Sequence, residues 1–561
     1  MKKRILTGAE SFEKIIAGDY FYVDKTLFIK ELLDKRGEVT LITRPRRFGK
    51  TMNMSMLEHF FGLDAPSGDP ATLEGKSLFD GLKIMEHADI IEKHKNKYPV
   101  VFITLKNVES ATYDSSVNKV RSLVSAIYRK NAYLCENDKL DKFGKKKYYR
   151  YCAEEATDDE LESALLFLTE CLHAYHGKRA IVLLDEYDAP LTNAYAEGFY
   201  DEMLKFMRGF LGSAFKTNDS LEFGVLTGVQ RISREGLVSG FNNPKVCGIM
   251  KETFADCFGF TEDEVRAACE SYGLSETFED VKKWYDGYRF GGHDMYNPWS
   301  ITGYLADKEF DEYWVNTGSL SVFKDIFHKG DASLKNDVAG LITGTPVLMQ
   351  MEDGITYPIE YTNSSALWTL MLHAGYIKPV SGAKGETFYA ELVNYEVRKM
   401  FTRNAKTWFK SKQSSVYEAI RQFSDCLLKG DAEGVSRALN DDLRNNPSCH
   451  DFKEENSYHM FIYGMLLAVS DDYTVYSNPE SGKGRSDCMI KPLDKEKRAV
   501  VIEFKHRSED GKDLKKEAQK GLEQIEEKAY VHNLRREGYT RIYKYGIAFH
   551  KKSCEAAMEM V

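Results

Sequence analysis

A glycine, a lysine and a threonine in direct succession, Gly49-Lys50-Thr51, close the basic stretch TLITRPRRFGKT. This order is typical of a phosphate-binding loop, in which backbone N–H groups and the lysine bind phosphate oxygens and the threonine hydroxyl binds Mg²⁺. The full pattern, G-x-x-x-x-G-K-[ST], expects a first glycine where this chain has Arg44. The alternative is a basic surface turn that contains Gly-Lys-Thr by accident. If the loop binds a nucleotide, the predicted contacts are Arg44, Pro45, Arg46, Arg47, Phe48, Gly49, Lys50 and Thr51.

Two carboxylates, Asp185 and Glu186, follow the apolar residues of the run AIVLLDEYDAP. A carboxylate at the C-terminal edge of a buried parallel strand can hold Mg²⁺, and its neighbour can polarise an attacking water. In the run LTGVQRISREG, Thr227 is predicted to sense the γ-phosphate. Arg231 or Arg234 would serve as an arginine finger, in cis or toward a neighbouring copy. The alternative is a strand that ends in solvent-facing acidic residues without a ligand.

A third group lies near the C-terminus, where Asp487 precedes the run VVIEFKH with Glu503 and Lys505. Residues two apart on a strand share one face, so Glu503 and Lys505 are expected side by side. A hairpin through PLDKEKR would bring Asp487 close to them. The two carboxylates suit one or two Mg²⁺ ions, with Mn²⁺ as a substitute, and the lysine suits a nucleophile or transition state. This chemistry is metal-assisted phosphodiester hydrolysis, although the bare pattern also arises by chance in charged proteins.

The elements that must position the first two groups are short apolar runs separated by helical stretches. Continuous Val, Ile and Leu runs of this kind predict a mostly parallel sheet that is covered on both faces. The predicted strands are 39–43, 98–106, 179–190 and 221–231.

The pattern changes after residue 240, and the stretch WYDGYRFGGHDMYNPWSI is expected to form an aromatic-rich loop. Around residues 363–395 the order helix, strand, glycine turn, strand indicates a winged-helix-like module. A new α/β unit begins near residue 451. The predicted class is therefore α/β, with a P-loop parallel sheet in 1–240, a helical and winged-helix-like middle in 241–450, and an α/β restriction-endonuclease-like core in 451–561.

Composition limits the classes of function. The net charge is −9, so contact with nucleic acid must use local basic patches. The ten cysteines are scattered without a C-x-x-C pair, which favours reduced thiols over disulfides or zinc. The N-terminus MKKRILTGAESF lacks the apolar run of a signal peptide, and FIYGMLLAVS is shorter than the ~20 residues that span a bilayer. We expect a soluble, cytoplasmic protein without a membrane partner.

The motifs together resemble the bacterial AAA-ATPase-like family. The resemblance rests on YFYVDKTLFIKELL, ITRPRRFGKTMNMSML, VVFITLK, IVLLDEYDAPL and LTGVQRIS, with later echoes in WYDGYRFGG, YNPWSI and YWVNTG. In that family R-P-R-R-F-G-K-[ST] is the usual form of the loop, so the resemblance implies that Arg44 is compatible with a working site. It also implies ATP and Mg²⁺ as cofactors.

The C-terminal constellation resembles the PD-(D/E)XK nuclease superfamily, in the form of the module often found behind this ATPase family. The motif is G-R-S-D followed by I-E-F-K, and the similarity extends over residues 451–550. It implies that Glu455 is a further carboxylate beside the metal and that Gln524 lies on the helix after the core strands. Ser486 stands where the superfamily's name has proline.

The sequence predicts an ATPase coupled to a metal-dependent nuclease, with DNA favoured over RNA and a homo-oligomer left open. One alternative is an ATP-controlled switch whose C-terminal domain binds nucleic acid or protein without cleavage. Another is an ATPase whose middle region binds a protein partner.

Overall fold

The computed structural model describes most of the chain. The described residues are 2–63, 77–136, 139–232, 244–315, 337–338, 340–342, 344, 346–352, 354–355, 364–380, 386–411, 414–445, 466, 473–477, 480–481, 484–506, 513–550 and 553–561. Two compact units divide the chain. The first unit comprises Met1–Gly318, Met349–Phe388 and Val393–Glu396, and the second comprises Ser319–Leu348, Tyr389–Leu392 and Val397–Val561.

Both units contain helices and strands. The strands β1 to β18 are, in order, Val39–Thr43, Val100–Thr104, Ala180–Asp185, Leu221–Gly228, Lys245–Cys247, Phe260–Thr261, Tyr288–Phe290, His293–Tyr296, Val347–Gln350, Ile377–Pro379, Thr387–Leu392, Tyr473–Ser477, Glu480–Ser481, Gly484–Arg485, Cys488–Pro492, Ala499–His506, Ile542–His550 and Ser553–Met560.

The helices α1 to α19 are Phe12–Ala17, Leu27–Lys35, Lys50–Phe61, Ala88–His94, Tyr113–Lys130, Lys142–Cys152, Asp158–Glu162, Ala164–His176, Ala189–Glu197, Tyr200–Phe215, Glu262–Ser271, Phe278–Tyr285, Pro298–Asp307, Ser364–Ala374, Tyr395–Ser411, Ser414–Lys429, Ala432–Asn445, Leu514–Glu527 and Val531–Arg536. Among the described helices, none has both the length and the apolar character that crossing a bilayer requires.

The first unit is built on a five-stranded sheet in the order β2-β3-β4-β1-β5. All its pairings are parallel, which confirms the predicted P-loop-type sheet. Successive side chains of β3 enter different cores, because a strand projects neighbours to opposite faces. Ile181 and Leu183 belong to one hydrophobic cluster, whereas Val182 and Leu184 belong to the other. Helices therefore cover both faces of the sheet.

The aromatic-rich stretch after α12 is more ordered than the predicted loop. It contains the hairpin β7–β8, in which Tyr288 pairs with Met295 and Phe290 pairs with His293. Gly291 and Gly292 make the connection, and Gly291 has a φ of 55° that suits glycine. The turn signals read from the sequence therefore mark the tip of a hairpin, and the strands beside it are too short for a periodic pattern to register.

The middle segment has the predicted order of helix, strand and strand, in α14, β10 and β11. The glycine-containing turn between the two strands lies largely outside the described residues. Side chains of α14 are buried from Ala366 to His373, so this helix is part of a core rather than an exposed recognition helix.

The second unit contains a five-stranded mixed sheet in the order β12-β15-β16-β17-β18. Strands β16 and β17 are parallel, and the other pairs are antiparallel. Helix α18 packs on β16 and β17, where Gly521 approaches Gly546 closely. A β-carbon on Gly521 would lie 2.9 Å from the Gly546 Cα. This arrangement agrees with the predicted α/β nuclease-like core.

A buried carboxyl group, Glu396, joins three segments of the first unit. Its side chain accepts hydrogen bonds from the Ser300 hydroxyl at 2.8 Å and from the Trp314 and Val315 N–H groups at 2.5 and 3.3 Å. Burial raises the pKa of Glu396 to about 7, although these donors act in the opposite direction. The folded protein therefore holds a proton that an unfolded chain would release near pH 4.5.

We predict that this carboxyl group destabilises the fold progressively as pH rises from about 5 to 8. A folded pKa above the unfolded value makes ionisation oppose folding, at a cost approaching about 3 kcal/mol above pH 7. The variant Glu396→Gln keeps an acceptor oxygen but cannot ionise. The Tm of this variant minus the Tm of the wild type should therefore increase as pH rises. Thermal scans from pH 5 to 8 measure this, with Glu92→Gln on α4 as an exposed control. A Tm difference that does not change with pH would contradict the prediction.

Candidate active sites

The carboxyl ends of β1, β3 and β4 meet at one edge of the parallel sheet. The phosphate loop (residues 44–51) follows β1, Asp185 ends β3, and Thr227 lies near the end of β4. Because β1 and β3 both pair with β4, the sequence-distant motifs become neighbours. This is the edge at which open α/β sheets bind their ligands.

The phosphate loop turns into α3 through a left-handed glycine. Gly49 has a φ of 80° and serves as the N-cap residue without a side-chain cap, a conformation that costs glycine little. The Lys50 ammonium is buried, and it donates to the Arg44 and Pro45 carbonyls at 3.2 and 3.1 Å. It also forms an ion pair with Glu186 at 3.3 Å. The lysine is thus held at the loop by groups that phosphate oxygens could replace.

Asp185 is the centre of a threonine cluster. Its side chain is fully buried, and it accepts hydrogen bonds from the hydroxyls of Thr51 at 2.8 Å, Thr227 at 2.6 Å and Thr104 at 3.3 Å. Burial, followed by the charge of Glu186, raises the pKa of Asp185. The structure therefore brings together the two predicted magnesium ligands, Thr51 and Asp185, and the predicted sensor Thr227.

Glu186 follows Asp185 in a left-handed backbone conformation with a φ of 55°. This conformation is uncommon for a residue other than glycine, and such residues concentrate at functional sites. It turns the carboxylate of Glu186 toward Lys50, on the open side of the phosphate loop.

Arg44 occupies the position of the missing first glycine, and its guanidinium is fully buried in the protein. It donates to the carbonyls of Thr43 at 2.8 Å, Cys247 at 2.9 Å and Phe254 at 2.8 Å, with a longer bond to Thr253 at 3.4 Å. Burial lowers the pKa of Arg44 to about 10, so the group stays charged at neutral pH.

The same guanidinium lies over the rings of Phe258 and Phe290, at 5.5 and 5.0 Å from their centroids. These contacts correct the expectation that the Arg44 side chain belongs to the nucleotide site. The guanidinium is directed into the protein, and only the Arg44 carbonyl lies at Lys50.

The remaining loop residues divide into packed and exposed groups. Phe48 is buried against Tyr288 and Phe290, with ring centroids 4.8 and 5.0 Å away. Pro45 packs beside Gly375, where a β-carbon would lie 2.9 Å from the proline ring. Aromatic residues that the sequence placed in a separate loop therefore support the phosphate loop.

Two arginines of the loop, Arg46 and Arg47, are at least partly exposed to solvent. The Arg46 side chain is exposed, while its carbonyl accepts from Trp314 Nε1 at 3.1 Å and Asn297 Nδ2 at 3.4 Å. Arg47 has a φ of 68°, and its guanidinium lies 4.2 Å from the Trp299 ring centroid. Both arginines also line the cavity beside the loop.

That cavity has a volume of about 450 Å³ and opens directly on the phosphate loop. Lys50, Thr51 and Glu186 line it, together with the apolar residues Leu6, Ala9, Phe21 and Trp299. Arg231, the predicted arginine finger, is not among the described residues that line the cavity. Its carbonyl accepts from the Ile355 N–H at 2.8 Å, and its charge lies near the buried His373.

Sequence reasoning missed Tyr187 and Asp188, which fix the segment after β4. The Asp188 carboxylate accepts the N–H groups of Val229 at 3.1 Å and Gln230 at 2.8 Å. The Tyr187 hydroxyl donates to the Gln230 carbonyl at 2.7 Å and accepts from the Ile232 N–H at 3.1 Å. The run D-E-Y-D contained a signal for this role: its second aspartate, Asp188, is a carboxylate that the predicted magnesium site does not use.

The third constellation assembles as the sequence predicted. Strands β15 and β16 form an antiparallel hairpin, and Asp487 Oδ2 accepts the Phe504 N–H at 2.6 Å. The Lys505 ammonium lies 3.2 Å from Glu503 Oε1. Gln524, on α18, donates to the same Glu503 oxygen. The predicted residues Asp487, Glu503, Lys505 and Gln524 therefore meet at one end of the hairpin, whereas Glu455 lies outside the described residues.

The other Glu503 oxygen is suited to a cation. Glu503 Oε2 is buried and has no hydrogen-bond partner among the described residues. Burial, reinforced by the charge of Asp487, raises the pKa of Glu503. A divalent cation would satisfy this oxygen and offset the repulsion between the two carboxylates, so the donor set fits a Mg²⁺ or Mn²⁺ site. The Ser486 hydroxyl, at the usual proline position, is also buried without a described partner.

Two family models match the chain in the regions that contain these sites. Residues 6–238 match a family described as a predicted AAA-ATPase, and residues 453–559 match the PD-(D/E)XK nuclease superfamily. The chain thus carries an AAA-ATPase-like domain and a PD-(D/E)XK nuclease superfamily domain. A relative from Azotobacter chroococcum mcd 1, named as an uncharacterized protein in the vnfD 5′ region, is 27% identical over 508 residues. The alignment spans 87% of each chain.

We predict that restoring the loop consensus with Arg44→Gly will weaken nucleotide binding. Removing the guanidinium leaves several buried carbonyls unsatisfied, at about 1–3 kcal/mol each, and frees the loop from β5. We expect at least a tenfold loss of ATP affinity by calorimetry and a lower Tm. Arg44→Lys should be intermediate, because an ammonium lacks the planar fork. Tighter ATP binding by Arg44→Gly would contradict this assignment.

Proposed function

We propose that the AAA-ATPase-like domain binds Mg²⁺·ATP at the phosphate loop and hydrolyses ATP. The observation that carries this proposal is the convergence of Lys50, Thr51 and Glu186 around the buried Asp185. Lys50 would exchange its carbonyl partners for phosphate oxygens, and Thr51 and Asp185 would hold Mg²⁺. The metal would neutralise phosphate charge. Glu186 would orient and polarise the attacking water.

The cavity supports a whole nucleotide rather than phosphate alone. Its volume and its apolar lining residues, among them Leu6, Ala9 and Trp299, suit a base and ribose in addition to the phosphates. Arg46 and Arg47 add positive charge at its rim, and Gly49 lets the backbone approach the phosphates. Thr227 would report the state of the γ-phosphate through its bond to Asp185.

Arg231 lies within the segment that Tyr187 and Asp188 fix, between Gln230 and Ile232, and it is not among the described residues that line the cavity. We propose that it serves as an arginine finger toward a neighbouring copy. A homo-oligomer therefore remains part of the proposal.

We predict that Glu186→Gln will separate binding from turnover. The amide preserves size but cannot accept a proton, so ATP turnover should fall at least ~100-fold while ATP binding is retained. Lys50→Ala should lose both, because it removes the phosphate contact. Phosphate release and ATP calorimetry on the same preparations measure the two effects. Wild-type turnover in Glu186→Gln would contradict the assigned role.

We further propose that the C-terminal domain is a metal-dependent nuclease. Asp487 and Glu503 would hold Mg²⁺ or Mn²⁺, which would supply a hydroxide and charge neutralisation at a phosphodiester. Lys505 would position the nucleophile or stabilise the transition state, and Gln524 would orient Glu503. The buried, unpartnered Oε2 of Glu503 supports a cation site rather than a structural hydrogen-bond network.

The proposed substrate is nucleic acid, with DNA favoured over RNA. The second candidate function is an ATP-controlled switch whose C-terminal domain binds without cleaving. The position of the Lys505 ammonium beside Glu503 favours cleavage, because binding alone requires no lysine next to a metal-ligating carboxylate.

We predict that Lys505→Ala lowers the rate of Mg²⁺- or Mn²⁺-dependent cleavage by at least ~100-fold. The substrates tested are labelled linear DNA, circular DNA and RNA. Lys495→Ala, an exposed lysine in the turn of the same hairpin, is the matched control and should cleave normally. Binding of substrate without cleavage in the wild type would favour the switch instead.

We propose three segments: an ATPase in 1–240, a helical middle with a winged-helix-like module in 241–450, and a nuclease in 451–561. Coupling between ATP and cleavage is proposed from this domain order. The cytoplasm is the proposed location, supported by nine described cysteines that are all free thiols.

A further inference from the structure

Helix α6, residues Lys142–Cys152, carries positive charge that is unusual for this chain. Its sequence KFGKKKYYRYC contains four lysines and one arginine and lacks acidic residues. The whole protein has 86 acidic and 77 basic side chains, so this helix departs from the overall balance. A local basic surface on an acidic protein fits a polyanionic partner.

The orientation of α6 is fixed by its buried tyrosines. The Tyr148 hydroxyl donates to the carbonyls of Tyr128 at 2.9 Å and Asn131 at 2.8 Å. The Tyr151 hydroxyl donates to the Glu160 carbonyl at 2.6 Å. With these two side chains in the core, the opposite side of the helix faces solvent.

At 100° per residue, the solvent-facing arc of α6 alternates charge and aromatic rings. Around the helix axis the order is Lys145, Tyr149, Lys142, Lys146, Arg150, Phe143 and Lys147. Phe143 is 68% exposed and Tyr149 is 60% exposed, which is unusual for large rings. We call this arc the basic aromatic face.

The charges on the face differ in availability. Arg150 forms an ion pair with Glu160 at 2.6 Å, and Lys147 lies over the Phe167 ring. Among the described residues, none of Lys142, Lys145 and Lys146 forms an ion pair with a carboxylate. Lys142 and Lys146 are exposed and Lys145 is half-buried, and the Lys142 ammonium lies 5.0 Å from the Phe143 ring centroid. These three lysines supply the charge of the face.

We propose that the basic aromatic face binds single-stranded nucleic acid. The lysines would contact the phosphates, and unpaired bases would stack on Phe143 and Tyr149. A duplex hides its base faces, so it could use only the charges. The helix is about 16 Å long, which matches roughly five stacked nucleotides. This surface gives the ATPase-like domain a nucleic-acid contact of its own and does not depend on cleavage by the C-terminal domain.

The test uses the full-length protein, without ATP and with EDTA so that no metal-dependent cleavage occurs. Fluorescence polarisation compares a labelled 20-nucleotide DNA strand, the RNA strand of the same sequence, and the DNA duplex. Phe143→Ala/Tyr149→Ala should bind both single strands at least ~10-fold more weakly, with little change for the duplex. Phe143→Leu/Tyr149→Leu should bind single strands as weakly as the alanine pair. Phe143→Trp/Tyr149→Trp should bind them with wild-type affinity, because both aromatic rings are kept.

The lysine pair gives an independent readout. Lys142→Ala/Lys146→Ala should weaken binding of all three nucleic acids and reduce the salt slope of log K for the single strands by about 1.4. Lys93→Ala/Lys97→Ala removes the same charge from exposed positions elsewhere in the domain and should leave affinity unchanged.

Several outcomes would overturn the proposal. One is wild-type affinity for single strands in the Phe143/Tyr149 alanine variant. Another is a loss of affinity for the duplex as large as that for the single strands when the rings are removed. A third is a loss of affinity in the Lys93/Lys97 control as large as that in the Lys142/Lys146 variant. Binding of polyglutamate with the same dependence on the face would assign it to an acidic protein instead. The binding assay and the cleavage assay of Lys505→Ala are independent. A failure of the proposed binding surface can therefore be distinguished from a failure of the proposed nuclease.

Discussion

The buried carboxylate of Asp185 is the constraint on which the ATPase-like domain depends. A charge without solvent exposure is tolerated only when its oxygens are satisfied, and here the donors come from Thr104 on β2, Thr51 on α3 and Thr227 on β4. Each of these elements must be in register for the cluster to form. The parallel pairing of the sheet delivers that register, and it brings motifs more than a hundred residues apart to one edge. The same carboxylate that organises the edge is the one a magnesium ion would bind.

Arg44 shows how the phosphate loop of this chain is anchored without its first glycine. The consensus glycine permits a sharp turn, whereas this chain turns its loop by anchoring a long side chain in the carbonyls of Cys247 and Phe254. The aromatic hairpin and the Trp314 indole then support Phe48 and Arg46 from the outside. Asn297 of the motif YNPWSI and Trp314 of the motif YWVNTG both donate to the Arg46 carbonyl, so these later motifs support the phosphate loop.

The sequence predicted what depends on local pattern. Strands β1 to β4, the Gly49 turn and the β15–β16 hairpin follow from apolar runs, turn residues and the period of two. It could not predict the hydrogen-bond partners of the Arg44 side chain. The loop pattern restricts the backbone conformation, but it does not indicate which carbonyl groups lie next to the loop. The run D-E-Y-D marked Asp188 as a carboxylate without a magnesium role, but its actual partners could not be identified, since an acceptor of backbone N–H groups leaves no partner residue in the sequence. The resemblance implied only that Gln524 lies on the helix after the core strands. Its hydrogen bond to Glu503, and the glycine contact that brings α18 close to β17, appear only in three dimensions.

The most direct measurement is ATP affinity by calorimetry, with Mg²⁺ and with EDTA, for the wild type and Asp185→Asn. If Asp185 is the magnesium ligand of a nucleotide site, Mg²⁺ should strengthen ATP binding to the wild type. In Asp185→Asn that strengthening should disappear, while metal-free binding is retained because Lys50 and the loop backbone are intact. An equal effect of Mg²⁺ on both proteins, or no ATP binding by the wild type, would contradict the assignment of this edge as the nucleotide site.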